Sequence, residues 1–235
     1  MKRFLLTLLL LTVATSSIGS SVLFHRRGAF RSTLTDGLVA YWALDEASGT
    51  RSDAHTGGHD LTDFNTVGQG TGNTYANCAS MVRASTEYLA YGDEASNSFG
   101  DEDFTVCIWV NMDDTAGGAF IAKLNTVGNQ QSFTLQLNSG TTKFNFYVSP
   151  YGSNTSADNL DHPAVVSAGT WYFLVAQHAA DDDEIRISVN GSGWTSKSYS
   201  LGVYDGTASL RIGNHYYGGE ANMDGLAGPA FMYRR

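Results

Sequence analysis

Asp103-Phe104-Thr105-Val106-Cys107-Ile108-Trp109-Val110-Asn111-Met112 decides the fold. An acidic start, a run of β-branched, aromatic and apolar residues, and a close in Asp113-Asp114-Thr115 make strand chemistry bounded by turn chemistry. A helix competes, but the bulky side chains recur every second residue, and Val, Ile and Thr favour the pleated backbone. Phe104, Val106, Ile108 and Val110 share one face. Cys107 and Trp109 make the other apolar as well, which predicts a central strand covered on both sides.

Outward from this strand the same cadence repeats. Gly37–Leu44 is a second strongly apolar strand closed by the turn Asp45–Thr50. Arg51–Gly72 reads as polar loops with at most one short strand near Leu61. Further strands are expected at Ala76–Val82, Glu87–Tyr91, Ala119–Leu124, Ser132–Asn138, Lys143–Ser149, Thr170–His178, Glu184–Val189, Leu201–Val203, Ser209–Ile212 and Met223–Tyr233. Turn-forming residues separate them. Asn154–Pro163 reads as a long polar loop and a plausible binding edge. Asp181, Asp182 and Asp183 read as the solvated turn of a hairpin, since consecutive turn side chains diverge too far to share a metal. No period repeats, which argues against a propeller or solenoid.

Composition agrees. The 235 residues include 26 glycines and only three prolines, as many short strands and tight turns require. The formal charge is −9. Residues 1–31 contribute Lys2, Arg3, Arg26, Arg27 and Arg31 and no acid, so the remainder sets nine basic groups against 23 acidic ones. A body this acidic repels nucleic acid and anionic membrane and suits a surface protein or a cation binder.

Lys2-Arg3, the apolar run Phe4–Val13 and the small residues Ala14–Ser20 have the layout of a secretory signal peptide. The run is too short for a stable membrane span. Arg26, Arg27 and Arg31 follow closely and favour retention inside. Residues 1–20 are therefore a signal peptide or a hydrophobic N-terminal arm, 21–35 a basic linker, and 36–235 the folded domain.

The chain resembles the laminin G-like, concanavalin A-like jelly-roll superfamily. The resemblance lies in Gly37-Leu38-Val39-Ala40-Tyr41-Trp42 with Leu44-Asp45-Glu46-Ala47-Ser48-Gly49; in Asp53, Gly57-Gly58 and Leu61-Thr62; in Asp103–Val110; in Gly169-Thr170-Trp171-Tyr172; in Val189-Asn190-Gly191; and in Asp224-Gly225. Phe104-Thr105-Val106-Cys107 is also similar to a pentraxin strand. The resemblance implies an all-β, two-sheet antiparallel sandwich in which the first and last strands of the domain lie side by side. For function it implies a glycan-binding, adhesive or structural unit of the kind found on bacterial and phage surfaces. Leu226-Ala227-Gly228-Pro229 departs from the family's hydrophobic residue and second acid after Asp-Gly, so a calcium ligand of relatives is missing.

Candidate chemistry follows. Glycosidic hydrolysis needs two carboxyls about 5–10 Å apart, which sandwich glucanases present as Glu-x-Asp-x-x-Glu; the chain has no such motif, and no enzyme is expected. Calcium takes six to eight oxygens, and Asp53 and Asp224, at family positions, are the candidate metal ligands, with Asp60 and Asp63 nearby. The competing role for these carboxylates is to accept backbone N–H groups in turns. His215, Tyr216 and Tyr217 form the best local aromatic and polar cluster for a carbohydrate, with Tyr147, Tyr151 and Trp194 as further candidates. Cys78 and Cys107 either form a disulfide or remain separately buried thiols. Trp42, Phe104, Val106, Trp109, Trp171, Phe173 and Val189 are expected in the core. The resulting expectation is a non-enzymatic extracellular or cell-surface recognition and adhesion module whose partner is a glycan or surface polymer. The alternative is a structural component of a virion or filament, docked through residues 1–35.

Overall fold

The computed structural model describes residues 34–55, 58–73, 76–216 and 221–235. The leader and most of the basic linker lie outside them. The chain divides after Leu38, and Val39–Arg235 is the unit described below. In chain order the strands are β1 (Leu38–Trp42), β2 (Thr62–Phe64), β3 (Gly68–Thr71), β4 (Asn77–Met81), β5 (Tyr88–Tyr91), β6 (Phe104–Met112), β7 (Gly118–Asn125) and β8 (Gln130–Asn138). They continue as β9 (Lys143–Gly152), β10 (Asp158–Asp161), β11 (Trp171–Ala179), β12 (Glu184–Val189), β13 (Thr195–Ser198), β14 (Leu210–Ile212) and β15 (Gly225–Tyr233). Short 3-10 turns stand at Arg83–Ser85, Ala95–Asn97 and Ala180–Asp182. Among the described residues no helix is long and apolar enough to cross a membrane.

The strands form two antiparallel sheets. One runs β13-β12-β11-β6-β15-β4-β3, with β1 also on β15; the other runs β10-β9-β8-β7-β14-β5-β2. The apolar stretch Phe104–Met112 is β6, paired along its length with β11 on one side and β15 on the other. The first and last strands of the sandwich are neighbours, as the resemblance implied.

Alternation along each strand sends one parity inward. Phe104, Val106, Ile108 and Val110 of β6 meet Phe133, Leu135 and Leu137 of β8 and Phe144, Phe146 and Val148 of β9 in one core. Phe104 stacks on Phe99 at 4.3 Å between centroids and leans on Phe133 at 5.0 Å. Full burial of a side chain such as Phe104 contributes about 1.5–3 kcal/mol. Trp42 is fully buried, and its indole N–H donates to His59 O at 2.7 Å, so its one polar atom is satisfied.

Several expectations change. Trp42, Phe104, Val106 and Val189 are buried, whereas Trp109, Trp171 and Phe173 are half-buried on the outer face of the eight-stranded sheet. There Trp109 and Phe173 sit opposite one another at 5.1 Å, and Tyr41 stacks on Phe231 at 4.7 Å. The outer parity of β6 is thus shielded by neighbouring rings on its own sheet. β3 and β13, made of Gly-Gln-Gly-Thr and Thr-Ser-Lys-Ser, carry no apolar alternation and had no strand signal. Asp158–Asp161 of the expected loop is an edge strand, while Leu201–Val203 is not a strand.

The two cysteines are free and buried. They project from the same face of the same sheet, with β15 between β4 and β6. Two strand spacings alone separate them by at least about 10 Å, and the register sets Cys107 further along its strand, beyond the reach of a disulfide.

Candidate functional site

The outer face of the seven-stranded sheet carries a second alternation, this time polar. Register places Ala122, Thr134, Tyr147 and Asn159 in one row across β7, β8, β9 and β10. Two residues along, Ala119, Gln136, Asn145 and Asp161 make the next row. Because β-strand side chains alternate, these rows stand on the face opposite Phe133, Leu135, Phe144 and Phe146. Loop residues rise around them: Ala116 and Gly117, Asn154 and Ala157, and His215, Ala221 and Asn222. Together they bound a groove of about 760 Å³. That volume is in the range of small-ligand sites.

The floor is ordered by a directional chain of hydrogen bonds. Asn145, fully buried, donates through Nδ2 to Asp161 Oδ1 at 2.8 Å, and Gln136 Nε2 donates to Asn145 Oδ1 at 3.2 Å. Gln136 Oε1 is then an acceptor for His215 Nε2 at 3.0 Å. The carboxylate at one end fixes which way each amide points, and so assigns the proton on the His215 ring to Nε2. Burial first, and the nearby Arg211 charge second, lower the His215 pKa to about 4, so the ring is neutral near pH 7. The Tyr147 hydroxyl faces Gln131 Oε1 at 2.7 Å and Asn154 Oδ1 at 3.2 Å. Ala119, Ala122, Leu124 and Tyr147 form a small apolar cluster beside these amides.

Thr134 stands apart. It lines the groove, is 1% exposed, and its Oγ1 has no hydrogen-bond partner. A buried hydroxyl left unpaired costs about 1–3 kcal/mol, a penalty that a ligand hydroxyl in the groove would relieve.

The carbohydrate candidates separate. His215 lines the groove; Tyr216 is half-buried and serves through its backbone, which pairs with Asn125 and accepts from the Thr126 N–H at 3.0 Å. Tyr217 lies outside the described residues. Of the wider candidates, Tyr147 is in the groove, while Tyr151 and Trp194 are exposed elsewhere. Sequence reasoning did not single out Thr134, Gln136, Asn145 or Asn159. The only signal was the polar parity of β8 and β9, which an ordinary solvent face shares.

The metal candidates have different surroundings. The Asp53 carboxylate accepts the backbone N–H groups of Tyr41 at 3.0 Å, His55 at 2.9 Å and His59 at 3.2 Å, and contacts the His59 ring at 3.0 Å. Burial raises its pKa, but these hydrogen bonds outweigh that effect and hold it below the usual carboxylate value. Asp224 Oδ1 accepts the Arg83 N–H at 3.1 Å. Among the described residues there is no group of three or more His, Cys, Asp or Glu side chains placed to share a metal ion.

Residues 83–228 match the family model of the concanavalin A-like lectin/glucanases superfamily, and the chain belongs to that superfamily. Comparison with curated protein sequences finds no match. Solved structures give similar folds. Domain 4 of AbnA, a GH43 extracellular arabinanase from Geobacillus stearothermophilus, in complex with arabinotriose, is 14% identical, with 84% of this chain and 92% of that one covered and a TM-score of 0.64. The binding domain of Paraclostridial Mosquitocidal Protein 1 is 14% identical, with 86% and 50% covered and a TM-score of 0.68. The botulinum neurotoxin serotype D binding domain is 13% identical, with 86% and 48% covered and a TM-score of 0.57. The chain thus spans about half the length of the two toxin binding domains. At these identities the likeness is one of fold.

Proposed function

We propose that the protein is a non-catalytic glycan-binding module that works as an extracellular or surface recognition unit, its ligand lying across the two polar rows. The carrying observation is the buried, unpartnered Thr134 hydroxyl at the floor of an amide-lined groove. Sugar hydroxyls both donate and accept, and the amides of Gln136, Asn138, Asn154 and Asn159 do the same. No carboxyl group is among the groove's described lining residues, so this groove offers none of the paired acids that glycosidic hydrolysis uses. The arabinotriose complex of the arabinanase domain is consistent with a sugar role for the fold. The test is calorimetric titration with neutral oligosaccharides against wild type and the variants Gln136→Ala and Asn159→Ala. Each variant should lose about tenfold or more in affinity, the effect of one or two lost hydrogen bonds, and Asn159→Ala, at an exposed position outside the floor's hydrogen-bond chain, should do so without a matching loss of thermal stability. Equal affinity in all three proteins would remove the groove from the reading.

A second reading, a structural component of an assembly, is favoured by one observation. Tyr41, Trp109, Trp171, Phe173 and Phe231 are all half-buried on one outer sheet face. Sedimentation across a concentration series separates the two, since an assembly component should gain mass and a monomeric binder should not.

A further inference from the structure

We infer that the groove selects uncharged glycans, and that Asp114 sets this selectivity by neutralising the cation at the groove wall; the inference rests on the glycan-binding reading above. Arg83 is the one charged side chain among the described lining residues. A guanidinium at a groove wall is ordinarily the group that captures a sugar carboxylate, through two parallel N–H···O bonds. Here that geometry is already taken.

Arg83 Nη1 donates to Asp114 Oδ2 at 2.5 Å, and Nη2 donates to Asp114 Oδ1 at 3.0 Å. Two of the three other N–H donors are drawn into the wall, Nη2 to Gly117 O at 2.8 Å and Nε to Asn222 O at 2.9 Å. Asp114 is itself held, because its Oδ1 accepts the Ala116 N–H at 2.9 Å. Asp224 adds a second carboxylate, bonded to the Arg83 backbone N–H. The local balance at this wall is therefore not positive. The other charged groups near the floor are occupied as well: Asp161 accepts from Asn145, and Arg211 donates to Asn214 Oδ1 at 2.6 Å while packing over the Tyr88 ring.

The rest of the described lining is neutral: the Gln136, Asn138, Asn154, Asn159 and Asn222 amides, Thr134, Tyr147 and the uncharged His215 ring. A sialic or uronic acid carboxylate entering this groove would lose hydration without gaining a free cation, which is strongly unfavourable. It would also enter a domain that carries 23 acidic groups against nine basic ones beyond residue 31. A neutral sugar meets none of these penalties.

The experiment is an oligosaccharide array carrying neutral arabino-, xylo-, manno- and gluco-oligosaccharides beside sialylated and uronate-containing ones, probed with wild type and Asp114→Asn. Wild type should retain neutral sugars and bind acidic ones at least about tenfold more weakly, and Asp114→Asn should narrow that gap by about tenfold, the worth of one charge-assisted pair. Acidic sugars held by wild type as tightly as neutral ones would overturn the inference and leave the glycan-binding reading standing. An unchanged gap in a folded Asp114→Asn protein would overturn the role of Asp114. No retention of any sugar by wild type would overturn the glycan-binding reading and the selectivity with it. Should Asp114→Asn not fold, wild type still decides: affinity for a neutral ligand should hold between about 20 and about 500 mM sodium chloride. A steep fall with salt would mean that an ion pair carries binding, contrary to the inference.

Discussion

Cys78 and Cys107 point outward from the same sheet and never meet, because β15 runs between their strands. Burial pushes the Cys107 thiol up to about 12, so it is protonated and unreactive in the fold. The expected result is slow thiol labelling of the native protein and two labels per chain after denaturation without reductant. A denatured, unreduced chain that takes no label would contradict the topology.

Lys123 is buried, and its ammonium donates to Asp93 Oδ1 and Ser98 Oγ, both at 2.7 Å, and to Asn97 Oδ1 at 3.1 Å. All three protons are used. Lys123→Met keeps the stem and removes the charge, leaving three oxygens to find other partners. Breaking a buried pair from one side costs about 3–5 kcal/mol, and the lower end is expected because Asp93 remains partly exposed. Urea unfolding with an unchanged midpoint would show that this cluster is not a stabilising one.

Gly225, the first residue of β15, has φ +134, and a Cβ built there would lie 2.3 Å from Asn111 O on the neighbouring β6. Gly225→Ala combines backbone strain with a main-chain clash at the centre of the sheet. A loss of about 2–4 kcal/mol is expected. Thermal denaturation should show it clearly, and a Tm equal to wild type would refute the geometry.

His215 is neutral in the fold with a pKa of about 4, against an ordinary 6.5. Above the ordinary value both folded and unfolded states are neutral, and the ring costs nothing. As pH falls from about 6.5 towards 4 the unfolded chain binds the proton first, so stability declines, by roughly 3 kcal/mol for this ring. His215→Gln should flatten the pH dependence of the unfolding midpoint over that window. Parallel wild-type and variant curves would show that His215 does not titrate this way.

Sequence alone determined the sandwich. Two-residue alternation in Phe104–Val110, Phe133–Leu137 and Phe144–Val148 is a local property that only a pleated, one-sided burial satisfies, and the turn residues between strands repeat the same message. His215 was legible as a candidate because it stands in a local cluster of polar and aromatic residues. The groove as a whole was not legible. Thr134, Tyr147 and Asn159 are 13 and 12 residues apart along the chain and become a row only when β8, β9 and β10 pair in one register. Polar residues on a strand's outer parity look the same whether water or a ligand covers them. Only loop placement distinguishes the two, by burying Thr134 Oγ1 and Asn145. The same limit misplaced Trp109, Trp171 and Phe173 in the core: apolar character is written in the residue, but which layer faces it is set by how the two sheets stack. The pairing of Arg83 with Asp114 likewise joins two loops from different strand connections. Charge neutralisation depends on distance in space, and tertiary structure alone supplies that.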